Sequence, residues 1–280
     1  MVRLRLIEEK ARYARAELVE VLEPSPKRIT ARCSHFTHCG GCHYQHLSYP
    51  DQLSGKSTIL LEQLKWIGGL IDIPPIEIAA GPEPWYYRNH VQFQLTRRGK
   101  PGFQKMQSNQ TFPIQECHLP EASINQLWPQ IDIEPVLGLE HISTRSGMDG
   151  DLMLVLESSA PQALDFSIEN LAISIVQKRP SGNLVQAGSD HHLMEVSGRQ
   201  YWVSSSSFFQ VNTLQANGMV KHIMANLPLD EMMTVVDVYC GVGLFSAFLA
   251  SQAKQLVGIE LSPEACDDFT INLNEFDHVT

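Results

Sequence analysis

A chain of 280 residues is long for one compact unit, so more than one domain and a sizeable core are expected. Its 43% apolar and 19% charged residues are those of an ordinary soluble protein, and a formal charge of −10 excludes a uniformly basic nucleic-acid binder while leaving room for a local basic groove. No apolar run approaches membrane-spanning length, and Met1-Val2-Arg3-Leu4-Arg5 has no apolar signal core behind it, which points to a cytoplasmic protein with no membrane partner. Neither an internal repeat nor a low-complexity tract is present.

Residues 1–32 begin with Val2, Leu4 and Leu6 alternating with Arg3 and Arg5, and Ala16 to Leu22 is again strand-like before Glu23-Pro24-Ser25-Pro26 breaks it. Two or three strands cannot bury enough surface alone, so this stretch is expected to be the end of a small β-barrel or an appendage on its neighbour. Arg3, Arg5, Lys10, Arg12, Arg15, Lys27, Arg28 and Arg32 make it the most basic part of the chain. A solvated face and contact with an RNA backbone account equally for those charges.

Cys33, Cys39 and Cys42 then fall within ten residues, and Cys117 supplies a fourth thiol later. Gly40 and Gly41 permit the tight backbone that close metal-ligand spacing requires, and disulfides are not expected in a cytoplasmic chain. The residues leave iron–sulfur and zinc both open, because zinc takes four thiolates or exchanges some for His35, His38, His43 or His46. Cys240 and Cys266, further on, are expected to be small core residues.

A helix is expected from Asp51 to Leu70, with Leu53, Leu60, Leu61, Leu64 and Ile67 on one face and Gly68-Gly69 near its end. After Pro74-Pro75, Trp85-Tyr86-Tyr87-Arg88-Asn89-His90 leads into a strand with Val91, Phe93 and Leu95 at alternate positions, closed by Arg97-Arg98-Gly99-Lys100-Pro101-Gly102. Aromatics beside Arg88 and a basic hairpin tip suit stacking on unpaired bases and holding phosphates; core aromatics and a wet turn explain the same residues.

Between 121 and 203 a hairpin is expected, Ile142–Arg145 with Leu152–Leu156, followed by a helix carrying Phe166, Ile168, Leu171, Ile175 and Val176. Leu184-Val185 and Tyr201-Trp202-Val203 complete a mixed sheet, and His191-His192 reads as loop. Ser204 to Asn212 is a polar run with Phe208, Phe209 and Gln210 before a helix bearing Leu214, Met219, Ile223 and Leu227. Gln210 both donates and accepts, which suits a cofactor carboxylate or a uracil edge, or simply a helix cap.

Val235 to Phe245 carries the strongest motif. An apolar strand runs into a glycine turn at Gly241 and Gly243 and then a helix; in such a turn the backbone can approach a ligand closely. Leu256-Val257-Gly258-Ile259 reads as a second buried strand, and Glu260 closes it about 20 residues after the turn, where a ribose-binding acid belongs. Tyr239 can lie against an adenine ring or pack internally. Ser262-Pro263-Glu264-Ala265 opens another helix, and Val279-Thr280 begins a third strand.

Taken together, Cys33-x5-Cys39-Gly40-Gly41-Cys42 with Cys117, Ser207 to Asn212, and Asp237-x-Tyr239-Cys240-Gly241-x-Gly243 resemble the bacterial RNA uracil-5-methyltransferases, most of all the iron–sulfur members that act on 23S ribosomal RNA. The resemblance implies an α/β architecture: part of a TRAM-like β-barrel over 1–32, an α+β iron–sulfur central domain over 33–203, and the beginning of a Rossmann-like methyltransferase domain over 204–280. In the family the segment after the third cysteine packs on the methyltransferase domain, so the resemblance implies that place for the helix over 51–70. It implies a [4Fe-4S] cluster on Cys33, Cys39, Cys42 and Cys117, and S-adenosylmethionine contacts from Gln210, Tyr239, Gly241, Gly243, Leu244 and Glu260. A monomer acting on RNA is implied, with 23S rRNA first and tRNA second; a non-catalytic metal-bearing RNA-binding module is the alternative from another class. The family's nucleophilic cysteine and general-base glutamate have no counterpart up to Thr280, so the chain is expected to be cut short and inactive alone. In a complete enzyme the thiolate adds to carbon 6 of the flipped uracil, carbon 5 takes the methyl group, and a base then removes the carbon 5 proton as the thiol leaves.

Overall fold

The computed structural model describes residues 1–164 and 172–280, which form two compact units. The first comprises Met1–Thr37 and Cys42–Ala80. Strands β1 (Val2–Glu9) and β2 (Ala14–Val21) pair antiparallel, because alternating side chains meet in complementary pairs: Arg3 faces Glu20 with a 2.7 Å ion pair, and Arg5 faces Glu17. Such exposed pairs add little stability, and every residue of the ladder except Glu8 and Val21 is exposed. Helix α1 (Tyr49–Trp66) starts at Ser48, whose hydroxyl oxygen accepts the Asp51 N–H, with Pro50 in the first turn where its missing donor costs nothing. It stops four residues short of the expected Leu70, and none of its described residues is buried.

The second unit comprises His38–Gly41 and Gly81–Thr280. Its larger sheet has seven strands: β3 (His90–Leu95), β4 (Pro101–Gln104), β5 (Thr111–Pro113), then, after helix α2 (Ala122–Leu127), β6 (Leu139–Ser146), β7 (Leu152–Ser158), β8 (Ser174–Arg179) and β9 (Gly182–Ala187). Their spatial order is β5-β4-β3-β6-β7-β8-β9, antiparallel throughout except for the parallel β7–β8 pair. The period-two pattern of β3 sends Val91 and Phe93 inward, where Phe93 pairs with Ile142 and packs beside Phe103 and Trp128. Centrally both faces are covered: Leu154, Leu156 and Ile175 enter one cluster, Met153, Val155 and Val176 another. That is why Leu152 to Leu156 is continuously apolar.

The expected helix is corrected here. Ile175 and Val176 lie on β8, paired with Leu154 and Val155, and the turn at Pro180-Ser181 returns the chain into β9; β-branched residues buried on both faces of a sheet produce an apolar run that helical spacing also fits. Phe166, Ile168 and Leu171 lie outside the described residues.

Strands β10 (His191–Val196) and β11 (Arg199–Ser204) form a separate hairpin, turned by Ser197 and Gly198, both with positive φ (53° and 78°) as the twist of two-residue turns demands. His191 and His192 therefore belong to a strand, not a loop, and His192 is buried. Helix α3 (Thr213–Asn226) is capped by Asn212, which accepts the Gln215 N–H at 3.0 Å. Its buried face is Ala216 and Val220 with Ile223 packed against the core, whereas Leu214, Met219 and Leu227 are exposed; the face expected from the largest apolar residues is rotated in favour of small ones.

The remainder is a parallel pair, β12 (Thr234–Val238) and β13 (Gln255–Ile259), connected through the short helix α4 (Ser246–Leu249) and followed by α5 (Pro263–Asn272). Val279 joins β13 by a parallel bridge to Leu256. Helix α5 closes the free edge of β11 in place of a strand. Asn272 accepts the Trp202 N–H at 2.7 Å and donates to the Trp202 carbonyl at 2.9 Å, and Asp268 accepts the Ser204 N–H at 2.9 Å. No helix among the described residues is long and apolar enough to cross a membrane.

Candidate functional site

The carboxyl ends of β12 and β13 carry the expected ligand turn. Ile259 O, at the end of β13, accepts the N–H groups of Tyr239 (2.7 Å) and Cys240 (3.2 Å), so the turn continues the ladder before departing from it. Tyr239, Gly241 and Gly243 all have positive φ (65°, 55° and 87°). A Cβ on Gly243 would run into Leu273 and Phe269, and one on Gly258 would stand 2.6 Å from Phe269 Cζ. Both glycines thus let α5 pack close to the turn and strand.

Glu260 is held onto this turn. Its Oε2 accepts the Gly241 N–H at 3.0 Å, and its Oε1 accepts the N–H groups of Leu261 (2.7 Å) and Ser262 (2.9 Å). Hydrogen bonds from Ser262, Leu261 and Gly241 hold its carboxyl below the usual range. Oε1 has two backbone donors and Oε2 one, so Oε2 keeps acceptor capacity for a further hydroxyl. Tyr239 projects its ring, 86% exposed, beside this carboxylate's strand. Leu244 is placed differently: its side chain is in the core, and its carbonyl accepts the Tyr201 hydroxyl at 3.1 Å. Asp237 accepts the Ser246 hydroxyl at 2.6 Å, tying the strand to α4.

Cys240 and Cys266 both lie near Glu260 and differ from each other. Burial first, then Asp237 and Glu260, push the Cys240 thiol up to about 11. Cys266 is exposed, which corrects its expected place in the core: it lies on the outer face of α5, with Sγ 3.7 Å from Glu260 O.

Gln210 lies on the segment between β11 and α3, within the same unit as the turn. Sequence reasoning passed over the residues that hold this segment. Asn89, 5% exposed, donates through Nδ2 to Gln210 O at 2.9 Å and Thr213 Oγ1 at 3.0 Å. Arg145 donates to Ser207 O at 2.8 Å and Ser204 O at 3.3 Å. An amide at the mouth of a strand, where Asn is disfavoured, was the available signal for Asn89. Around Arg145 burial depresses His90 to about 4 and His192 to about 3, with neighbouring cations adding to the effect, so both imidazoles are neutral near pH 7.

The cysteines divide between the units: Cys33 and Cys42 in the first, Cys39 and Cys117 in the second. Cys39 bridges to Lys105 beside β4, and both it and Cys117 pack on the Phe93 core. The Gly41 N–H donates to Cys39 Sγ at 3.4 Å, the kind of bond that tunes thiolate sulfur in metal clusters. All four thiols are partly buried. Among the described residues no three or more His, Cys, Asp or Glu are drawn together as a metal site.

Trp85 and Tyr86 meet His118 edge-on, and the Tyr86 hydroxyl reaches its Nδ1 at 3.0 Å. At the hairpin tip, Arg97, Arg98, Lys100, Asn109, Gln110 and Thr111 border an open cleft of about 820 Å³. Lys100 is committed there to Asp132 at 2.6 Å.

Comparison with known proteins bears on both the sheet and the turn. Residues 204–276 match the family described as ribosomal RNA adenine dimethylase. The chain is 29% identical to an uncharacterized RNA methyltransferase of Aquifex aeolicus (strain VF5), over 100% of this chain and 69% of the relative. An uncharacterized RNA methyltransferase of Bacillus cereus (strain ATCC 10987 / NRS 248) is 29% identical over 95% of this chain and 65% of its own length. The chain thus spans about two thirds of the length of these curated relatives. Among solved structures, the Pyrococcus abyssi tRNA (uracil-54, C5)-methyltransferase in complex with S-adenosyl-L-homocysteine is similar with a TM-score of 0.70 and 20% identity, over 100% of this chain and 71% of that one. The chain shares that α/β methyltransferase fold.

Proposed function

We propose that this chain belongs to an RNA uracil-5-methyltransferase and carries its site for S-adenosylmethionine. The observation that carries the reading is Glu260, fastened to the Gly241 N–H at the carboxyl ends of two parallel strands, the position at which open α/β sheets bind nucleotides. In this reading Glu260 Oε2 accepts a ribose hydroxyl, Tyr239 offers its ring to adenine, and Gly241 and Gly243 let the main chain come close. Gln210 recognises a polar group of the methionine moiety, and Leu244 contributes backbone. S-adenosylmethionine, when bound, supplies the methyl group.

Uridine as the target rests on the resemblance in three motifs and is supported by the fold shared with the Pyrococcus abyssi enzyme; RNA is supported by the names of the relatives. The motif resemblance favours 23S rRNA, and the Pyrococcus abyssi likeness favours tRNA as the second substrate. Basic residues at the hairpin tip are suited to the RNA backbone. Cys240, protonated at neutral pH, is a poor attacking thiol. Cys33, Cys39, Cys42 and Cys117 would hold a [4Fe-4S] cluster, which supplies a covalent cross-link to the fold around it. The protein acts in the cytoplasm as a monomer.

The test is calorimetric titration with S-adenosylhomocysteine. Wild type binds, and Glu260→Ala, which removes the acceptor and frees the Gly241 N–H, weakens binding about tenfold or more. Equal affinity in the two proteins would overturn the assignment. Mass analysis of nucleosides from RNA treated with the protein then identifies the base: 5-methyluridine supports the reading, and methylated adenosine refutes it.

A further inference from the structure

We propose that Asn89 is a positioning residue for the methyl-donor site, acting through the main chain at Gln210. The inference rests on the cofactor reading above and adds a residue from the other sheet. Asn89 stands immediately before β3, 121 positions from Gln210, yet it satisfies three groups of the Gln210 segment. Its Nδ2 donates to Gln210 O and Thr213 Oγ1, and its backbone N–H donates to Val211 O at 3.0 Å. Its own carbonyl accepts the Ser146 N–H at 2.8 Å, so the anchor is itself fixed to β6.

Arg145 on β6 grips the start of the same segment at Ser207 O, and the Asn212 cap of α3 holds its end. Between these three attachments the main chain on both sides of the Gln210 side chain is determined. Only a primary amide suits position 89. A carboxylate would set oxygen against the Gln210 carbonyl, and a hydroxyl is too short to reach both acceptors. The expected gain is pre-organisation: the ordering entropy of 208–212 is met on folding instead of on ligand binding.

The experiment pairs affinity with exchange. Asn89→Ser and the isosteric Asn89→Asp are titrated with S-adenosylhomocysteine, each alone and combined with Gln210→Ala. Each is expected to weaken binding about tenfold on the wild-type background and little when Gln210 is already absent. A purely structural role would give the same loss on both backgrounds, and that result, or retained affinity, overturns the proposal. Hydrogen exchange of amides 207–213 should quicken in both variants while amides of α5 stay protected; unchanged exchange at 207–213 also overturns it. If wild type and Glu260→Ala bind the ligand equally, the cofactor reading fails, and the exchange result still judges separately whether Asn89 orders the segment.

Discussion

Glu260 acts on the Cys240 thiol across the turn, and the two groups are shifted in opposite directions from their ordinary values. Backbone donors favour the charged carboxylate, and that carboxylate, together with burial, disfavours the thiolate. Alkylation by iodoacetamide at neutral pH should therefore modify the exposed Cys266 quickly and Cys240 at a small fraction of that rate. Peptide mapping after a timed reaction checks this; equal rates would contradict the assigned environments. His90 and His192 make a second prediction. Each is neutral in the fold and takes up a proton on unfolding, so the unfolded state binds more protons below the ordinary value of 6.5. Their contribution is fully present above that value and is lost as pH falls toward about 4 and about 3. Thermal melting between pH 7 and 4 should show a falling midpoint, and replacement of His192 by Gln, which remains neutral, should flatten the fall.

At the level of elements, the close approach of α5 to its strand depends on two missing side chains. Gly258→Ala would press on Phe269 and on Cys240 Sγ, and Gly243→Ala would add a strained backbone to a collision with Leu273. Each is expected to destabilise the fold by about 1–3 kcal/mol, measured by chemical denaturation, with Gly243→Ala the worse of the two. These elements were legible in the sequence because local order sufficed: strand, glycine turn, strand and acid arrive at the spacing that geometry demands. The Ile175-Val176 strand was not legible. A strand buried on both faces loses its alternation, and its partner β7 is specified elsewhere in the chain. The α3 face was misjudged for another reason: Ala216 and Val220 pack against the core where larger residues do not fit, so size alone mispredicts burial. Asn89, Asp268 and Asn272 escaped notice because their partners lie between 30 and 124 positions away, and an isolated polar letter carries no trace of a distant partner.

For the whole molecule, the spacing of the four cysteines raises the expectation of a metal set, while the division of its members between two units was not legible in the sequence. Iron and acid-labile sulfide determined on protein purified without oxygen should match one [4Fe-4S] cluster per chain, and Cys117→Ser should lower both. A colourless preparation containing zinc would refute the cluster. Removing the iron by chelation should also lower the melting temperature, since a metal bound only by the native state stabilises it by mass action.

The seal that Asn272 and Asp268 place along β11 has a practical result for anyone who wishes to transplant pieces of this protein. Cutting out the β10–β11 hairpin by itself would leave the Trp202 and Ser204 peptide groups bare along its rim, an invitation to adhere to any passing strand. Asn272 also donates to Val242 O at 2.9 Å inside the glycine turn. Hairpin, helix and turn therefore move between scaffolds as one part or not at all.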